Sequence, residues 1–85
     1  MHTGPISNGM LLAMQPEQRL AVIDELGQEV RRRLAHIASL GAEREIQNAS
    51  EHLDAGHRTW ADAKLEHARD LNRLAAELTR DPQEG

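Results

Sequence analysis

The chain has 85 residues, a formal net charge of −4, one tryptophan, and no cysteine, phenylalanine or tyrosine. That length holds one small domain. Disulfides and thiolate metal sites are excluded, and the acidic balance with so few aromatics disfavours a protein that grips phosphates or stacks bases. Apolar residues make up 39% of the chain, but twelve of them are alanines, so a lone copy has little side-chain volume to bury and a second subunit is the expected support.

Residues 1–15 read as an arm, with room for a short helix. Gly4-Pro5 and Ser7-Asn8-Gly9 are turn chemistry, and Met10, Leu11, Leu12 and Met14 form an apolar patch. No Lys or Arg precedes that patch. It is too short for a signal sequence or a membrane span, so the expectation is a cytoplasmic protein with no membrane role. Gln15-Pro16-Glu17 then opens a helix, with proline where its missing N–H costs nothing and an acid beside it.

From there Leu20, Ile23, Gly27, Val30, Leu34 and Ile37 repeat at spacings of three and four, the pattern of a coiled-coil-like seam. The phase fails after Gly41 and resumes at Ala42, Ile46, Ala49, Leu53, Gly56, Trp60, Ala63 and His67. This predicts a turn near 40–42, two helices over about 16–40 and 42–80, and Gly56 inside the second helix. Folding there sets Gly27 opposite Gly56, which predicts either a close backbone approach or a pocket filled by Trp60 or by a partner's side chain. A competing reading ends a helix at Gly56 and restarts with Thr59 as N-cap and Asp62 three residues on, giving three helices. Beyond His67 the apolar positions are Leu71, Leu74 and Leu78, which need cover from the arm or from a second chain. Residues 81–85 read as a flexible tail.

The five histidines do not show metal-ligand spacing, since His52 and His57 are five apart and point apart on one helix. His67 differs in occupying a seam position: the simpler reading is a half-exposed residue at the end of a layer, and the alternative is a partly buried one that makes assembly pH-sensitive. Arg31, Arg32 and Arg33 fan around the helix, most simply as a solvated face; with Arg58, Arg31 and Arg32 are the candidate nucleic-acid contacts. No nucleophile elbow, phosphate loop or cysteine nucleophile is present, so no catalytic residue, cofactor or metal is assigned.

The expected fold is all-α: an antiparallel helical hairpin with an apolar N-terminal arm, two copies pairing into a dimeric four-helix bundle. The expected function is a non-enzymatic interaction module, a regulator, adaptor or inhibitor that docks on a larger protein. Met10, Leu12, Met14, Leu65, Leu71, Leu74 and Leu78 are its expected anchors. A weak stripe of Ala61, Leu65, Ala68 and Asn72 is a second candidate for closing a dimer. The alternatives are a structural subunit of a larger assembly and a helical-hairpin RNA or DNA binder.

Overall fold

A computed structural model describes residues 6–80. They form four helices: α1 Asn8–Ala13, α2 Pro16–Glu25, α3 Gln28–Asp54 and α4 Arg58–Thr79. The Ser7 side chain caps α1 by accepting the Met10 backbone N–H at 3.2 Å. Pro16 holds Gln15 extended and separates α1 from α2, which starts at the proline as the sequence predicts. Leu26 and Gly27 are both extended and break the chain again before α3. Asp24 and Glu25 lie at the unfavourable negative end of α2, whereas Glu29 lies in the first turn of α3, where the dipole favours an acid.

The hairpin is α3 against α4, and its turn lies at residues 55–57, not at 40–42. Gly56 has φ +85°, the left-handed region where a side chain is strained. Its N–H donates to the Leu53 carbonyl at 3.0 Å, and the His57 N–H donates to the His52 carbonyl at 2.7 Å. This pair of bonds is a Schellman motif, which closes the last orphan carbonyls of α3. The three-helix reading thus had the right break but the wrong cap: α4 begins at Arg58, with His57 rather than Thr59 as N-cap. Replacing Gly56 with alanine is expected to lower stability by about 1–2 kcal/mol, the left-handed penalty of an L-residue, and asparagine there by less. Urea titration followed by circular dichroism would show it.

Gly41 sits inside α3. A Cβ there would come within 3.3 Å of Leu71 Cδ1, so the missing side chain admits Leu71 closely against α3. The phase change at Gly41 therefore marks a close approach and not a turn. The seam itself is built from small residues. Ala35, Ala38, Ala42 and Ala49 of α3 and Ala61 and Ala68 of α4 lie along it at spacings of three, four and seven, each at most 5% exposed. Alanines let the two helices approach closely. The β-branched and long residues of the expected seam are consequently displaced: Val30, Ile37, Ile46 and Leu53 are all about half exposed.

The remaining seam expectations change with the turn. Gly27 is the N-cap of α3, with nothing near a Cβ built on it, and it does not meet Gly56. Trp60 fills no glycine layer; it is 65% exposed and packs against the His52 ring, with centroids 5.6 Å apart. The predicted tail at 81–85 lies outside the described residues, as do residues 1–5 of the arm.

The main core forms at the open end of the hairpin, where α1 and α2 lie across one face. Leu11 and Ile23 meet Leu34, Leu74 and Leu78 there, with Ile6, Met14, Val22 and Leu26 packed around them. A second cluster, Ala38, Ala42, Ala68 and Leu71, is covered in part by Leu12. Arg19 adds a polar tie between α2 and α4. Its Nε and Nη2 donate to the two oxygens of Glu77 at 2.7 and 3.1 Å, a bidentate pair with little solvent around it. The hydrogen bond to Glu77 raises the Arg19 pKa above its usual value, although burial pulls the other way.

Candidate functional site

Covering Leu71, Leu74 and Leu78 with the arm settles what those residues do in the single chain. They are 7%, 1% and 2% exposed, so they are core residues and not a free docking surface. Leu12 and Met14 are half-buried beside them for the same reason. Of the seven expected anchors only Met10 and Leu65 stand exposed, at 39% and 37%. The displaced residues of α3 are the ones sequence reasoning missed as surface. The available signal was the run Ala35, Ala38, Ala42, Ala49, whose spacing competes with that of Val30, Ile37 and Leu53.

Three surfaces result. The first is a groove of about 510 Å³ where the α2–α3 elbow meets the start of α3. Ile6, Leu26, Val30, Leu34 and Ile37 line it, and Glu29 and Arg33 supply one charge of each sign. The second is the side of the hairpin that α1 and α2 leave bare. A shallow groove of about 420 Å³ runs along it at the open end, lined by Ala35, His36 and Ser39 of α3 and Asn72, Ala75 and Ala76 of α4, with Arg32 and Thr79 at its end. α1 and α2 lie across the other side of α4, where Leu12, Pro16 and Arg19 share a small pocket with Asp70 and Leu74; two residues on from Asp70 the helix has turned by some 200°.

The third surface is the hairpin tip. The Schellman turn brings together two histidines that a continuous helix would hold apart: the His52 and His57 rings are 5.7 Å apart, with Trp60 on His52. Among the described residues no group of three or more His, Cys, Asp or Glu converges as a metal site. His67 is not a core residue. Its side chain is 52% exposed, and Nδ1 lies 3.3 Å from Glu45, which also faces Lys64 at 3.4 Å. Glu45 takes a seam position between Ala42 and Ala49, and the Lys64 and His67 side chains are its partners across the hairpin.

The candidate nucleic-acid residues are not brought together. Arg32 is exposed at the open end, and the Nε of Arg31 is buried with no hydrogen-bond partner. Arg58 opens α4 at the tip, most of the length of α3 away, roughly 35 Å at 1.5 Å per residue. Ala61 and Ala68 of the weak stripe are in the seam, which leaves Leu65 and Asn72 on the bare side. Among the described residues no helix is long and apolar enough to cross a membrane. No family model matches the chain, and no curated protein or solved structure shows a significant similarity to it.

Proposed function

We propose that this chain is a non-enzymatic helical interaction module of the cytoplasm, a small regulator, adaptor or inhibitor that docks on a larger protein, and that two copies pair into a four-helix bundle. The observation that supports it is where the large aliphatic side chains lie. Val30, Ile37, Leu40, Ile46 and Leu53 of one helix are each 45–53% exposed, because alanines hold the internal seam. Scattered exposed leucines are ordinary, but Val30 and Ile37 line one groove, and apolar side chains gathered on a groove support a binding surface.

In this reading the elbow groove takes an amphipathic helix of the larger protein, laid against Val30, Leu34 and Ile37, whose spacing of four and three matches helix-in-groove recognition. Arg33 and Glu29 on its rim would orient that helix by charge. A Val30→Asp, Ile37→Asp variant is expected to keep the helical content of the wild type and to lose the partner in a tagged pull-down from the native lysate. Retention of the same partner by the variant would overturn the assignment. Running the pull-down with and without nuclease also tests the nucleic-acid alternative, since partners held through RNA or DNA disappear with nuclease.

A further inference from the structure

We infer that a second copy of this chain seats end-for-end on the bare side of the hairpin, the bulky half of each copy filling the grooved half of the other. The inference rests on the reading of the chain as an interaction module and names one partner and one face for it.

Three observations carry it. The first is shape. Ile46 lies seven residues beyond Ser39 and Leu53 seven beyond Ile46, while Leu65 lies seven before Asn72. Seven residues return a helix almost to the same direction. Ile46, Leu53 and Leu65 therefore continue the side lined at the open end by Ser39 and Asn72. One half of this side carries three large side chains, 46%, 51% and 37% exposed. The other half is a groove floored by Ala35, Ala75 and Ala76. A two-fold axis across the middle of the hairpin lays knobs on groove twice, which is the self-complementarity an isologous interface needs.

Charge has the same polarity. On this side of α3 the basic residue is Arg32, at the edge of the groove, and the acids of the other half are Glu43 and Asp54, seven and eighteen residues beyond His36 of the lining. End-for-end pairing sets the half with Arg32 in each copy against the half with Glu43 and Asp54 in the other. Arg32 at the edge of the groove then comes near the level of Asp54 in the second copy.

Area is the third. α3 has 27 residues, about 40 Å of helix, and two helices side by side are roughly 20 Å wide. The face is thus of the order of the ~800 Å² per partner found in stable interfaces. α1 and α2 lie on the opposite side of α4 and do not obstruct it.

The test uses the full chain, in sedimentation equilibrium over a range of concentrations. The expected result is a dimer whose dissociation constant rises at least about 100-fold in Ile46→Arg, because each interface would lose two buried isoleucines and gain two charges. Ile46 is already half exposed in the single chain, so helical content measured by circular dichroism should not change. Orientation is read separately. The chain has no cysteine, so Ala55→Cys places a single spin label at the tip. End-for-end pairing puts the two labels roughly 40 Å apart, and parallel pairing brings them to about 20 Å. A monomeric wild type, a dimer unaffected by Ile46→Arg, or labels at the short distance would each overturn the inference. A monomer that still loses its larger partner on Val30→Asp, Ile37→Asp would overturn the second copy while leaving the interaction module standing.

Discussion

Replacing Leu74 with alanine is expected to cost about 3 kcal/mol and to release α1 and α2 from the hairpin. Leu74 is 1% exposed and lies in the core cluster that joins Leu11 of α1 and Ile23 of α2 to Leu34 of α3. Truncating a buried leucine removes its transfer free energy and leaves a cavity, together about 2–5 kcal/mol. An 85-residue domain has only about 4–13 kcal/mol to lose, at the usual stability per residue. The arm has no other large apolar anchor on α4 apart from Leu71 and Leu78, so it should come away first. Limited proteolysis at the linkers around Met14 and Leu26 would read the release, and urea denaturation the loss of stability. A variant that keeps both linkers protected would show that the arm is held by something other than this cluster.

The Arg19–Glu77 pair should be nearly as sensitive, but in an asymmetric way. Glu77→Gln leaves the Arg19 side chain, only 10% exposed, without its anion. Removing one member of a buried pair costs about 3–5 kcal/mol. Glu77 itself keeps 19% of its side chain in solvent, which screens the pair, so a loss of about 2–3 kcal/mol is expected here. Replacing both members with apolar residues of similar size, Arg19→Met with Glu77→Leu, should recover most of that loss, because no uncompensated charge remains. Equilibrium unfolding of Arg19→Met, Glu77→Leu and the double gives the coupling directly. Additive losses would show that the two side chains act independently, contrary to the bidentate geometry.

The two variants bear on function differently. Both loosen the arm, yet neither touches the bare side of the hairpin or the tip. If copies pair as inferred, Leu74→Ala and Glu77→Gln should leave dimerisation largely intact as long as α3 and α4 stay paired. The elbow groove is the surface that should suffer, since Ile6 and Leu26 reach it from segments the arm holds in place.

Much of the fold was legible in the residues alone. An all-helical chain with an apolar arm follows from the three-and-four spacing and the missing β-branched runs. Pro16 names the start of α2, and Leu71, Leu74 and Leu78 announce a cluster in need of cover, whereas Ser7, read as turn chemistry, is the cap of α1. Composition also sets the small-core problem, because twelve alanines bury little area each.

Which glycine turns the chain was a tertiary decision. Gly41 and Gly56 both interrupt apolar patterns, and local sequence offers each a plausible role. What separates them is the partner each meets: Leu71 packs onto Gly41, while Gly56 takes a positive φ that closes the hairpin. The same choice decides the seam. Hydrophobic periodicity favours the larger residues, so Val30, Ile37 and Leu53 read as interior. In the folded hairpin, close helix approach favours alanines, and the larger side chains are left outside. Sequence therefore determined that this protein is all-helical with an apolar arm, because helix and cap chemistry are local. Only the tertiary structure decided which face is core and which is free for a partner, because that depends on how near two helices can come.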